Sequence, residues 1–131
     1  MRPSVKRQQI EFLWAWLDAV RRRDTEAMAA ALDPKVFWQG VRPELTCHGA
    51  EEVMETYLSG VDALGDVESI ELLGAEQAAV LVARGSDLGE IGGVALGSEI
   101  CNVFRLENDR IVRVEDYLRR DEALAAAGIS P

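Results

Sequence analysis

Asp116 is the residue whose position most clearly allows acid–base chemistry. The segment Arg110–Leu118 is predicted as a strand, in which successive side chains point to opposite faces of a sheet. Asp116 then shares a face with Val112 and Val114, and this face is apolar enough to line a core. A carboxylate at the end of an apolar row could act as an acid, a base or a group that positions water.

Arg84 is the second candidate. It ends the predicted strand Ala78–Arg84, and alternation groups it with Val80 and Val82. An ordinary register would bring Arg84 to the same end of the sheet as Asp116. The pair would then form either a structural ion pair or the polar end of an apolar cavity in which Asp116 is catalytic.

His48 is the only histidine and precedes the third predicted helix, whose positive dipole end would favour the neutral imidazole. It could cap that helix or assist Asp116 in catalysis. A second histidine and a cysteine cluster are both lacking, so we predict no metal site. The glycine-rich segment 85–97 has no phosphate-binding spacing, and we therefore predict no cofactor.

The elements that must position these residues follow an α+β order. Apolar spacing predicts helices over residues 7–22, from Asp24 to Leu32, and from near Gly49 to Val61. The remaining segments are a short strand, four longer strands and a terminal helix: Val36–Trp38, Val67–Leu72, Ala78–Arg84, Ser98–Leu106, Arg110–Leu118 and Asp121–Ala127. We expect one domain, residues 1–131, with three N-terminal helices covering a strongly curved antiparallel sheet.

The predicted inner surface offers aromatic and apolar side chains to a ligand. Asn102 is assigned to this surface because it alternates with Cys101 and Val103. The predicted ligand-binding residues are Trp14, Trp38, Tyr57, Asn102, Phe104 and Val114. Such a wall, with few polar groups, suits an apolar small molecule.

Composition excludes some partners. The chain carries 14 basic and 23 acidic residues, a net charge of −9, which argues against nucleic acid. No window approaches the ~20 apolar residues of a membrane span, and no signal peptide is recognisable. We therefore expect a cytoplasmic protein, with Cys47 and Cys101 reduced.

Two segments carry a resemblance to a known family: Cys47-His48-Gly49 and the run from Asn102 to Leu118. They are similar to the SnoaL-like branch of the nuclear transport factor 2-like superfamily. The resemblance implies a cone-shaped fold with an apolar pocket at its wide end and a homodimer through the outer sheet face. It also implies cofactor-independent hydrolase, isomerase or cyclase activity.

Within that family the reaction stays open. Limonene epoxide hydrolases use an Asp-Arg-Asp group, to which Arg84 and Asp116 correspond, but Ser86 occupies the place of the other aspartate. Ketosteroid isomerase chemistry could use Tyr57 and Asp116, although a base carboxylate is missing. A cyclase could use Asp116 with His48.

Two further classes of function compete with an enzyme. One is a domain that binds an apolar ligand without turnover. The other is an interaction module whose exposed outer sheet face, with Tyr117, Cys101 and Val103, binds a partner chain. The segment 85–97 is predicted as a long hairpin connection or, alternatively, as a lid over the pocket.

Overall fold

The computed structural model describes residues 4–130, which form four helices and eight strands. In chain order the elements are α1 (Val5–Arg21), α2 (Thr25–Ala30), β1 (Leu32–Gln39), β2 (Thr46–His48), α3 (Ala50–Ala63), β3 (Ser69–Gly74), β4 (Ala78–Arg84), β5 (Glu90–Ile91), β6 (Val94–Ala95), β7 (Glu99–Glu107), β8 (Arg110–Tyr117) and α4 (Arg120–Ala127). The predicted helices are all present. The strand β2 was not predicted.

The helices begin where the sequence provides caps. Ser4 accepts a hydrogen bond from the backbone N–H of Arg7 at 3.2 Å, and Asp24 caps α2 through Ala27. The residue before α3 is Gly49, with a φ of 89°, a conformation that glycine adopts most readily. Both α1 and α3 contribute residues to the wall of the cavity.

Six strands form one mixed sheet in the order β2-β1-β8-β7-β4-β3. All neighbours are antiparallel except β1 and β8, which run parallel. The expectation of a wholly antiparallel sheet is therefore wrong at this pair. The parallel pairing matters for function because it places Trp38 of β1 beside the strand that carries Asp116.

The inner face of the sheet holds the main core. Phe104 and Val114 are fully buried there, and they pack with Trp16 of α1 and Tyr57 of α3. The rings of Trp16 and Tyr57 meet edge to face with centroids 4.9 Å apart, and Trp16 lies 5.6 Å from Phe104. This aromatic group packs α1 and α3 against the inner face of the sheet.

The outer face is partly covered by α4. Its Ala123 and Leu124 pack on Val80, Cys101 and Val103, all of which are fully buried. The prediction of an exposed outer face at Cys101 and Val103 is therefore wrong, because the terminal helix folds back onto it. The expected count of three covering helices is also inexact, since the fourth helix covers the opposite face.

Two turns bear on the predictions. Asn108 and Asp109 both have positive φ, 51° and 60°, as a two-residue hairpin turn requires. The glycine-rich segment forms the separate β5–β6 hairpin, in which Ile91 and Leu96 face the cavity while Leu88 is fully buried below it. The hairpin is thus present, and its motion as a lid stays a prediction.

Within residues 4–130, no helix has the length and apolar character needed to cross a membrane. Cys47 and Cys101 are both free and buried.

Candidate functional site

A cavity of about 1110 Å³ lies between the inner sheet face, α1 and α3. Its buried wall is formed by Trp38, Cys47, Tyr57, Leu81, Ala83, Leu96, Ile100 and Asn102, together with half-buried Asp116. The wall is largely apolar, and polar groups converge at one place, around Asp116. A large apolar cavity with a small convergent polar group is typical of a small-molecule site.

Two neutral donors hold the Asp116 carboxyl group. The indole Nε1 of Trp38 donates to Oδ1 at 2.8 Å, and the side-chain nitrogen of Asn102 donates to the same oxygen at 2.6 Å. Every fully buried side-chain oxygen of the described residues has a partner, so Oδ2, which accepts no bond, must be open to the cavity. The two bonds therefore leave one carboxyl oxygen free for a ligand.

The surroundings of Asp116 change its acidity. Burial raises the pKa of Asp116, while the hydrogen bonds from Trp38 and Asn102 oppose that rise, and the result is a pKa of about 7. Asp116 can thus hold or release a proton near neutral pH. A general acid or base works best when its pKa lies close to the working pH.

Tyr57 extends this polar group from α3. Its hydroxyl donates to Oδ1 of Asn102 at 3.4 Å, which connects it indirectly to Asp116. Burial, and then the charge of Asp116, raises the pKa of Tyr57 well above its ordinary value. The hydroxyl consequently remains a neutral donor.

Arg84 is not part of this site. It belongs to the outer face, where its guanidinium contacts Glu99 at 3.0 Å and Glu71 at 3.6 Å. The predicted pairing with Asp116 is wrong because Arg84 lies opposite Glu99 and shares its face with Val82, which packs under α4. Either version of an Arg84–Asp116 pair, structural or catalytic, is therefore absent from the structure.

His48 also lies outside the cavity. In β2 it pairs with Phe37, and their rings meet edge to face with centroids 5.0 Å apart. Its neighbour Cys47 pairs with Trp38 and takes the inward position. The structure therefore does not bring His48 and Asp116 together, since consecutive strand residues point to opposite faces.

The predicted ligand-binding residues divide by depth. Trp38, Tyr57 and Asn102 line the buried part of the cavity, and Trp14 lines it while 60% exposed. Phe104 and Val114 lie in the core beneath the wall: Phe104 is two residues after Asn102 in β7, and Val114 is two residues before Asp116 in β8. Their predicted contact with a ligand is not supported by this placement.

Several wall residues were missed at the sequence level. Leu81 and Ala83 face the cavity, but β4 is apolar from Ala78 to Ala83, so its sequence gave no alternation by which to find them. Cys47 donates from Sγ to the Thr56 hydroxyl at 3.3 Å. Burial raises the pKa of Cys47, which keeps its thiol protonated. If β2 had been predicted, its pairing with β1 would have placed Cys47 opposite Trp38 and so on the inward face.

Among the described residues, no three His, Cys, Asp or Glu side chains are close enough to hold a metal ion. The polar groups that converge at Asp116 are the Trp38 indole N–H, the Asn102 amide and, through Asn102, the Tyr57 hydroxyl.

Solved structures with this fold include three of direct interest. One is a nuclear transport factor 2-like protein of unknown function from Burkholderia pseudomallei, 22% identical, with a TM-score of 0.61 over 91% of this chain and 96% of that one. An LEH-like epoxide hydrolase from M. tuberculosis is 19% identical, with a TM-score of 0.62 over 93% and 90%. A steroid delta-isomerase from Pseudomonas aeruginosa is 22% identical, with a TM-score of 0.63 over 90% and 84%.

These identities establish a common fold and no common reaction. A comparison with curated proteins gives no match. The model of the SnoaL-like domain matches residues 14–114, a range that includes Trp38, Tyr57 and Asn102. The chain belongs to the SnoaL-like domain family, and it shares its fold with a nuclear transport factor 2-like protein.

Proposed function

We propose that the protein is a cofactor-independent enzyme that transfers a proton on an apolar small molecule containing a carbonyl group. The observation that carries this proposal is the Asp116 carboxyl group, held on Oδ1 by Trp38 and Asn102 with Oδ2 open to an apolar cavity. Isomerisation or intramolecular cyclisation is the reaction class that one such group can perform.

The proposed step needs one proton carrier. Ionised Asp116 removes a proton at Oδ2 from the carbon next to the substrate carbonyl, and the electron pair moves onto the carbonyl oxygen as an enolate. The Tyr57 hydroxyl, once it turns from its long bond with Oδ1 of Asn102, is the candidate donor to that oxygen. In a β,γ-unsaturated ketone, Oδ2 then returns the proton to the γ carbon as the double bond moves into conjugation. In a diketone, the enolate carbon attacks the second carbonyl of the same molecule, and Oδ2 returns the proton to the alkoxide that forms. The proton and the electron pair are both conserved.

Epoxide hydrolysis is less well supported. That reaction in the related hydrolases uses a second carboxyl group and an arginine beside the first. Here Arg84 is bound to Glu71 and Glu99 on the outer face, and Asp87 accepts a hydrogen bond from Gly89 in the loop. Asp116 therefore lacks both partners among the residues that the structure describes.

The test uses an apolar ketone that reveals proton removal without knowledge of the natural substrate. 2-Tetralone is incubated with the protein in D₂O, and the replacement of C–H by C–D is followed by NMR. We expect exchange above the buffer rate, and we expect Asp116→Asn to lower the enzymatic rate by about 10²- to 10⁴-fold. Asp109→Asn, the same change in an exposed turn before β8, is the matched control.

Ligand binding without catalysis is the second candidate. It is favoured by the neutral partners of Asp116, since neither Trp38 nor Asn102 can exchange a proton with substrate at neutral pH. If the wild-type protein binds 2-tetralone but does not accelerate exchange, this function replaces the first.

We further propose a cytoplasmic homodimer, which pairs through the part of the outer face that α4 leaves open. This part has aromatic rings and a cation, with the Arg113 guanidinium 4.8 Å from the Phe37 ring centre. Two copies related by a two-fold axis would bury these groups against each other. Arg113→Glu should convert the dimer to a monomer in sedimentation analysis, and a wild-type monomer would refute the pairing.

A further inference from the structure

Exposed apolar side chains concentrate at one opening. The described residues include five exposed large apolar side chains, of which four also line the cavity: Trp14, Val61, Val67 and Ile70. A side chain that both lines a cavity and faces solvent must lie where the cavity opens. These four residues, the mouth cluster, come from α1, α3, the segment leading into β3 and β3 itself.

The register of the sheet places the mouth cluster far from Asp116. Ile70 pairs with Ala83 on β4, and Ala83 pairs with Ile100 on β7, two residues before Asn102, the partner of Asp116. Three strand spacings of about 4.8 Å and two residues of about 3.4 Å separate Ile70 from Asp116. In a flat sheet, the straight line between these two residues would be about 16 Å, much longer than a single ring.

The charged residues that line the cavity determine which polar group a ligand can carry. Arg21 is the one basic residue among the described lining residues, and its guanidinium is bound to Asp18 at 2.7 Å. The buried part holds Asp116 but no cation. A carboxylate or phosphate placed there would face Asp116 without a counter-charge, which is unfavourable in an apolar cavity.

We propose that the mouth cluster is a second subsite, which binds the apolar end of an elongated, uncharged amphiphile whose polar group contacts Asp116. This inference deepens the proposed function, since it rests on the same cavity. The ligand spans from Oδ2 of Asp116 to the opening and covers Trp14 and Ile70. Each methylene that becomes buried in the cluster raises affinity about fourfold.

The test measures the binding of straight-chain 2-alkanones of increasing length by calorimetry. We expect affinity to rise about fourfold per methylene until the chain passes the mouth cluster. The variants Trp14→Ser and Ile70→Ser should flatten this rise for long chains and leave short-chain affinity unchanged. Val5→Ser is the matched control, because Val5 is 51% exposed on α1 but does not line the cavity.

Three outcomes would overturn the proposal. An unchanged rise in Trp14→Ser would remove the cluster from the ligand path. Equal affinity for a fatty acid of the same length would refute the uncharged polar group. In the third outcome, Trp14→Ser leaves the rise of affinity with chain length intact. If it abolishes binding to phosphatidylcholine vesicles, the cluster binds a membrane; if it abolishes self-association, the cluster binds a second copy of the chain. None of these results depends on proton exchange at Asp116, so a failure of the proposed reaction remains distinguishable.

Discussion

Glu115 and Asp116 are consecutive residues of β8 with the same functional group and opposite surroundings. Glu115 faces outward and accepts bonds from Arg105 at 3.1 Å, Arg113 at 2.7 Å and the Tyr117 hydroxyl at 3.1 Å. Asp116 faces inward and accepts only from the uncharged Trp38 and Asn102. One step along the strand thus separates a carboxylate with two cations from one with none.

The two pKa shifts follow from these partners. Burial raises the pKa of Glu115, but its hydrogen bonds with two arginines outweigh burial and leave the pKa below its ordinary value. Burial of Asp116 is opposed only by neutral donors, and its pKa rises to about 7. The difference teaches that full charges fix a carboxylate as an anion, whereas neutral donors orient it and leave its proton exchangeable.

The largest expected effect is on the pH dependence of stability. Folded Asp116 keeps its proton up to about pH 7, whereas the unfolded side chain releases it near 3.8. The stabilisation from the raised pKa is complete below the unfolded value and is lost as pH rises through about 7. As pH rises between those two values, the free energy of unfolding of the wild type should therefore fall by up to about 4 kcal/mol relative to that of Asp116→Asn.

Urea denaturation of both proteins across this pH range measures the difference. Asp109→Asn should run parallel to wild type. If the difference in free energy of unfolding between the wild type and Asp116→Asn did not change with pH, Asp116 would be ionised across this pH range, like Glu115.

The second effect tests the role of the neutral donors. Trp38→Phe keeps an aromatic ring at this position but removes the indole N–H, which favours ionised Asp116. A hydrogen bond to a charged group contributes about 1.5–3 kcal/mol, so the pKa of Asp116 should rise by roughly 1–2 units. The pH midpoint of 2-tetralone exchange would move to higher pH by that amount. A lower rate with an unchanged midpoint would assign Trp38 to packing alone.

The third effect concerns the outer carboxylate. Glu115→Gln keeps the size but removes the charge that Arg105 and Arg113 share, and we expect about 1–2 kcal/mol lower stability at neutral pH. Because the pKa of Glu115 is lowered, this loss should shrink as pH falls through its folded value. Exchange by the variant should stay at the wild-type rate. A large fall in exchange would show that the two faces are coupled.

The smallest effects are expected at Arg84 and His48. Arg84→Gln breaks two partly exposed ion pairs on the outer face and should cost about 1 kcal/mol or less. His48→Gln removes an exposed ring that contacts Phe37. Exchange rates within about twofold of wild type are expected for both variants. A loss of about tenfold or more in either would return that residue to the catalytic group.

The sequence predicted the inward position of Asp116 correctly and that of Arg84 wrongly for one physical reason. In the second half of β8, after the register shift between Ile111 and Arg113, buried Val114 alternates with polar Arg113 and Glu115, so alternation identifies the inward side of Asp116. In β4 both faces are buried, one by the inner core and one by α4, and alternation disappears. A period of two can assign faces only where one face meets water.

Pairing between distant segments was beyond sequence reasoning. The helices and most strands follow from local caps and periodicity, and they are confirmed. The bond between Trp38 and Asp116 depends on the parallel contact of β1 with β8, which no local pattern specifies. The docking of α4 likewise depends on an apolar surface that exists only after β4 and β7 have paired.

The parallel contact of β1 with β8 also has a consequence for folding. Trp38 and Asp116 are 78 residues apart in the chain, and their strands cannot pair until the last strand has been made. Contacts of such long sequence separation form slowly, because a large loop must close first. During synthesis, β2 and β1 must therefore wait with one edge unpaired, and the candidate site comes into existence at the step that completes the sheet.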